Sequence, residues 1–326
     1  MIRKLLLLCL ALGTIALPWL LPSQGYVLRV VCLVLLFAAM SQAWNIAAGL
    51  SGQISLGHAG FFGAGAYTST LLLIHFGISP WLGLIAAGAV GAVLAALISL
   101  PTMKLKGHYF VLATLAFGEA MRVIANSWTG VTGGPVGVSV PFAEPSFALM
   151  QFQSLRPYFY IMLVALIITC VAFQRIRASA LGLRLRALKN HADAASSLGV
   201  DTAAAKLAAS TVSGALIAML GVLYAQFQFF FDPDTVFSLA GISIRIALIA
   251  IIGGVGTVAG PLIGALLILP IEEATNAYLS SHAAGLSQIV FGAILIAVVI
   301  LQPRGLLHFW RAYRMRRGTR AGVVDN

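Results

Sequence analysis

The stretch Gly49-Leu-Ser-Gly52-Gln-Ile-Ser-Leu-Gly57-His-Ala-Gly60-Phe-Phe-Gly63-Ala-Gly65 stands where two apolar runs meet, Val27–Ala47 and His58–Phe76, and it holds no Lys or Arg. Glycine at this density weakens a helix and lets backbones approach closely. Ser51, Gln53, Ser55 and His58 add polar side chains in the same place. Within a bilayer, irregular backbone persists only where it is packed in protein or lines a wet cavity. The stretch therefore reads as a break in a membrane-spanning region. A second break follows the same pattern, Gly253-Gly-Val-Gly256-Thr-Val-Ala-Gly260-Pro261, with Gly253 and Gly256 matching Gly49 and Gly52 in spacing. Paired broken segments in two halves of a chain point to a translocation path. Gly49, Gly52, Gln53, Ser55, Gly57, His58, Gly253, Gly256 and Gly260 are accordingly candidate pore residues, although tight helix packing explains the glycines equally well. His58 by itself is expected to be packed and not a ligand.

Composition agrees with this reading. Of 326 residues, 60% are hydrophobic and 9% charged, against about 45–50% and about 25% in soluble domains. Mean hydropathy is +0.98. The expected fold is an all-α polytopic membrane protein with about ten transmembrane helices, two of the joints being glycine-broken hairpins. The apolar runs are Leu5–Leu21, Val27–Ala47, His58–Phe76, Trp81–Leu100, Tyr109–Ile124, Pro157–Phe173, Leu207–Phe230, Gly241–Val255, Val258–Leu279 and Leu286–Leu301. Arg3 and Lys4 before the first run look like a signal-peptide n-region, but no A-x-A cleavage site follows, so a retained first span is expected.

Formal net charge is +11, and its placement speaks of topology, not nucleic acid. Sixteen of the 20 Lys and Arg residues fall on one side of the runs, against Arg29, Arg156 and Arg245 on the other. The positive-inside rule makes the first side cytoplasmic and puts both termini there. Residues 1–302 form the transmembrane domain, with a periplasmic loop at 126–156 and a cytoplasmic loop at 174–206. Residues 303–326 are a basic cytoplasmic tail, whose arginines are expected to lie against anionic lipid headgroups of the bilayer.

Few residues carry chemistry. Glu119 reads as the acid well inside a span, and Arg122, three residues on, shares its helix face. Such an intramembrane ion pair is either functional or self-neutralising. No relay of acids or histidines suggests proton coupling, and no cluster suggests hydrolysis or a metal site. No catalytic residue is assigned. The chain also lacks a GxxxxGK[ST] phosphate loop, so any ATP must be bound by a separate subunit.

The cytoplasmic loop contains Asp193-Ala-Ala-Ser-Ser-Leu-Gly199, which resembles the EAA loop of ABC importer permeases with Asp in place of Glu. Asn45-Ile-Ala-Ala-Gly-Leu-Ser-Gly through Tyr67, Ala113-Thr-Leu-Ala-Phe-Gly-Glu119, Trp128-Thr-Gly-Val-Thr-Gly-Gly-Pro-Val-Gly137, the Arg186-to-Gly199 loop and Gly253 to Pro261 run in family order. Together they resemble the permease subunits of branched-chain amino acid ABC importers, of the LivM type. The Lys189–His191 run before the loop motif departs from that pattern.

The resemblance implies a multi-pass protein of the bacterial inner membrane that forms one half of a translocation pore. It implies a second related permease, two cytoplasmic ATPases carrying the ATP and Mg, and a periplasmic substrate-binding protein, with no cofactor on this chain. Leu, Ile or Val is the implied substrate, while urea and short amides are cargoes of relatives. Arg186, Asp193, Ala194, Ala195 and Gly199 fall in the implied ATPase-coupling loop. Ala195 and Gly199, four apart, are expected to form its docking strip. An ion-coupled secondary amino acid carrier is the alternative. Reporter fusions at Lys106, Asn190 and Asn326 should read cytoplasmic and a fusion at Pro141 periplasmic; a periplasmic signal at Asn190 would overturn the orientation.

Overall fold

The computed structural model describes residues 16–279 except 24, 104, 106 and 143, together with 289, 290, 292 and 293. Most of the runs Leu5–Leu21 and Leu286–Leu301, and all of the tail 303–326, lie outside the described residues. Ten helices are labelled here: α1 Tyr26–Ser51, α2 His58–Phe76, α3 Pro80–Thr102, α4 His108–Ser127, α5 Leu155–Ala178, α6 Ala180–Asn190, α7 Ala192–Ser197, α8 Thr202–Gln228, α9 Arg245–Gly253 and α10 Gly260–Leu279.

Seven segments among the described residues are long and apolar enough to cross a membrane: α1 to α5, α8 and a compound segment Pro233–Gly253. A rise of about 1.5 Å per residue makes about 20 apolar residues the requirement. Seven such spans stand where about ten were expected. Two of the ten runs lie mostly outside the described residues, and α10 carries Glu272 and Glu273 within its length. The eighth expected run, Gly241–Val255, begins earlier than its hydropathy suggested. Asp232 caps a short helix Pro233–Val236 by accepting from the Thr235 N–H, and a π-helical turn Leu239–Ile244 leads directly into α9.

Local sequence explains the ends. Ser79 and Pro80 start α3, Ser154 starts α5 and Asp201 starts α8, each side chain accepting a backbone N–H in the first turn. Gly52 ends α1 in the left-handed conformation, at φ +76°, where its N–H bonds the Ala48 carbonyl.

Helix α1 is the centre of the molecule. Every residue from Val34 to Ser51 is buried, and α5, α8 and α10 pack around it. Helix α8 packs in turn on α2 and α3, and glycines bring those backbones together. A Cβ on Gly65 would overlap the Ala218 carbonyl oxygen, one on Gly221 that of Phe62, and one on Gly91 would lie 2.5 Å from the Gly214 carbonyl oxygen. With no hydrophobic drive between helices in lipid, such close approach is what dispersion forces need.

The two breaks differ. Helices α9 and α10 pack on each other across the second, and a Cβ on Gly253 would overlap the Gly260 carbonyl. This one is a hairpin. Helices α1 and α2 share little contact across the first, and both rest on α8 instead. The expectation of two glycine-broken hairpins is thus corrected to one hairpin and one broken segment, because α8 occupies the space between the arms of the first.

The loop 126–156, between α4 and α5, is folded, not loose. Val138–Ser139 pairs antiparallel with Phe230–Phe231, and Trp81 Nε1 donates to the Phe147 carbonyl at 2.8 Å. Gly65→Leu should force α2 away from α8 and destabilise the chain by about 1–3 kcal/mol or more, the usual cost of overpacking. Thermal unfolding in detergent reads this directly, and an unchanged midpoint would contradict the close approach.

Candidate functional site

The last turns of α1 hold both breaks at once. Trp44 Nε1 donates to the Ser55 carbonyl of the first break at 2.8 Å. Its neighbour Asn45 grips the second: its Oδ1 accepts from the Gly256 N–H at 2.7 Å, and its Nδ2 donates to the Thr257 carbonyl at 2.9 Å. Gly49 lies inside α1, not in the break, and its lack of a side chain makes the junction possible. A Cβ there would overlap Asn45 Oδ1 and lie 3.0 Å from the Gly256 nitrogen. Gly256 itself is left-handed, at φ +78°. The two glycine segments matched by spacing are therefore in contact.

The rest of the first break docks on α4. The Leu56 N–H bonds Thr114 Oγ1 at 3.1 Å, and a Cβ on Gly57 would lie 2.6 Å from the Thr114 carbonyl oxygen. His58 is buried, and its Nε2 is 2.9 Å from Ser213 Oγ, which donates onward to the Ala43 carbonyl. The His58 ring also meets Phe61 edge-on, with centroids 5.6 Å apart. Ser51, Gln53, Ser55, His58, Thr114 and Ser210 line a polar cavity of about 20 Å³ among five helix ends. That space takes about one water and no amino acid. The polar candidates thus surround a closed seam.

Ion pairs are placed differently from expectation. Arg122 Nε bonds Glu119 Oε1 at 2.9 Å, but its Nη1 also pairs with Asp234, to which Asn126 Nδ2 donates at 3.0 Å. The group is a partly exposed cluster that includes Asp234, not an isolated pair, and it lies on α4, one of the seven candidate spans. A second pair, Arg245 with Glu272, joins α9 to α10. Glu272 is 8% exposed, and the Arg245 guanidinium stands 5.0 Å from the centre of the Phe37 ring of α1. Glu119 is therefore not the only acid to consider; Glu272 and Glu273 follow the apolar run Ala265–Leu269, Pro270 and Ile271, which hid them in a hydropathy reading.

The segment between α5 and α8 is two helices seated on one end of the bundle. Leu185 and Leu188 of α6 join Ile46, Leu50, Phe173, Ala205 and Ala209 in an apolar cluster. Arg186 is turned back on its own segment, its Nη2 reaching the Arg177 carbonyl at 3.4 Å. In α7, Ala195 is buried within this chain while Asp193, Ala194 and Gly199 are exposed, and Leu198 is 85% exposed. The docking strip expected from Ala195 and Gly199 is thus corrected. Ala195 faces the bundle, and the outward face carries Asp193, Ala194 and Leu198. Gly199 ends the helix at φ +81°, with the Val200 N–H returning to the Ala195 carbonyl at 3.1 Å.

Comparison with known proteins bears on this arrangement. The family described as "Branched-chain amino acid transport system / permease component" matches residues 26–299. The chain belongs to that family. Among its relatives is the high-affinity branched-chain amino acid transport system permease protein LivM of Salmonella typhimurium, 29% identical over 331 residues, covering 95% of this chain and 76% of the relative. LivM of Escherichia coli is 29% identical over 98% of this chain and 79% of its own length. The permease protein LivH of Salmonella typhimurium is 26% identical over 83% of this chain and 91% of the relative. No solved structure matches.

For this family member, sequence reasoning found the glycines and missed their partners. Trp44 and Asn45 sit in an apolar helix with no spacing signal, although a buried Asn in such a run demands hydrogen-bond partners. Asn45→Ala would leave the Gly256 N–H and Thr257 carbonyl unpaired, at about 1–3 kcal/mol for each buried group. The thermal midpoint should fall further for this variant than for Trp44→Phe, which loses one bond. Equal midpoints would contradict the double grip.

Proposed function

We propose that this chain is the permease subunit of an ATP-driven importer of branched-chain amino acids, forming half of the translocation pore. The observation that carries the reading is the family match over residues 26–299, joined to a loop whose helix α6 reaches the junction of both breaks through Lys189. A second permease of the LivH kind would complete the pore, since both LivM and LivH proteins are relatives of this chain. Two ATPases would dock on the loop 174–206 and carry the ATP and Mg. A periplasmic binding protein would deliver substrate to the folded outer loop 126–156.

In this arrangement the protein spans the bacterial inner membrane with both termini and the coupling loop in the cytoplasm, and residues 303–326 lie as a basic tail beyond the transmembrane domain 1–302. The chemistry of the chain is conduction, not catalysis. The closed seam at the first break would open when the ATPases move the loop. A secondary carrier would need an acid that gains and loses its charge during the cycle. Glu119, Asp234 and Glu272 are each paired with arginine instead, which favours the importer. Cargo of the urea or short-amide kind is distinguished by a panel: purified with its neighbouring subunits, the assembly should show ATP hydrolysis stimulated by the binding protein with Leu, Ile or Val, and not with urea or acetamide.

The outward face of α7 supplies a sharper test. Leu198→Asp places a charge on an exposed apolar residue that touches nothing the fold depends on. It should abolish retention of the ATPases on purification while leaving insertion and the thermal midpoint unchanged. Ala195→Trp should do the opposite, lowering the midpoint by overpacking. Retention of ATPases by Leu198→Asp would refute docking on this face.

A further inference from the structure

We propose that Lys189 is the positioning residue that ties the coupling loop to both breaks, so that loop and breaks move as one body through the transport cycle. The inference rests on the importer reading above and adds the route by which the loop acts. Lys189 is the penultimate residue of α6. Its Nζ donates to the Gly49 carbonyl at 2.9 Å. That carbonyl belongs to the last turn of α1, where intrahelical partners run out, and α1 has no basic residue of its own there. A cation is favoured at that end of the helix dipole. Lys189 supplies it from another element.

The same side chain touches the rest of the junction. A Cβ built on Gly52 would lie 3.1 Å from Lys189 Cγ, and one on Gly256 would lie 3.9 Å from Nζ. Gly52 opens the first break and Gly256 is in the second. Beneath it, Leu185 and Leu188 pack with Ile46 and Leu50 of α1. Apolar packing holds α6 against α1 without specifying its register, whereas a directed bond from Nζ to one carbonyl does. One ammonium thus stands where the loop, the central helix and both breaks meet.

The test uses the complete importer, with its partner subunits, in proteoliposomes, reading substrate uptake and ATP hydrolysis together. Lys189→Met keeps the apolar stem and removes the donor. It should retain its ATPases and hydrolyse ATP, while uptake per ATP falls about tenfold, the change that loss of one charge-assisted hydrogen bond makes. Lys189→Arg, which keeps a donor, should restore most of the coupling. A merely structural role would lower assembly and hydrolysis together and leave uptake per ATP unchanged.

A second measurement does not depend on the methionine variant. Lys189 Cβ would be 3.7 Å from a Cβ on Gly52, within the range of about 3.5–4.5 Å for a disulfide. In a background lacking Cys9, Cys32 and Cys170, Gly52→Cys with Lys189→Cys should be uncoupled when reduced and coupled again when oxidised. Uptake per ATP equal to wild type in Lys189→Met, or uptake abolished by the disulfide, would overturn the proposal while the importer reading stands. A wild-type assembly without ligand-stimulated hydrolysis would overturn both.

Discussion

Backbone that leaves a helix inside a membrane must find its hydrogen bonds within the protein, and in this chain the C-terminal end of α1 provides them. Trp44 serves the first break and Asn45 the second. Most other features follow from that demand. Helix α1 must be buried on every side, because its polar side chains cannot face lipid. Gly49 must lack a side chain, because Asn45 needs the space to reach Gly256. The breaks must converge on one helix end, although about 200 residues of chain separate them in sequence. The two breaks thus share one anchor.

The charged groups show the same economy. In low dielectric an unpaired charge costs several kcal/mol, and a pair recovers this only with good geometry and further hydrogen bonds. Arg245 meets Glu272 and lies over Phe37, while Tyr26 donates to Glu273 Oε2 at 3.0 Å. These contacts fasten α10 to α9 and α1, so the second break hangs between two helices that cannot easily separate. Arg122, between Glu119 and Asp234, fastens α4 to the segment that leads into α9. These ion pairs stand away from the breaks, where Lys189 is the charge that meets both.

Facing is where reading by residue type went astray. Small residues in α7 invite helix docking, and both Ala194 and Ala195 qualify. Which one faces outward depends on the angle at which α7 leaves α6, set by His191 in extended conformation between them. Ala195 turns inward and Leu198 outward. An exposed leucine at the tip of a loop costs solvation unless a partner covers it, which fits a docking surface better than the alanine strip did.

Much was legible without coordinates. Composition and run length determined an all-α membrane protein, since so few charges cannot cover a soluble surface. Glycine spacing located both breaks to within a few residues, because glycine best serves where backbones touch or φ is positive. The motif order from Asn45 to Pro261 identified the family. What only tertiary structure decided was partnership. That Asn45 meets Gly256, that Lys189 meets Gly49, that Arg245 meets Glu272, and that α8 and not α1 packs on α2, are all contacts between residues far apart in the chain. Local propensity and periodicity carry no term for such pairs. They are chosen by which helices fit ridge into groove, and that fit belongs to the folded molecule as a whole.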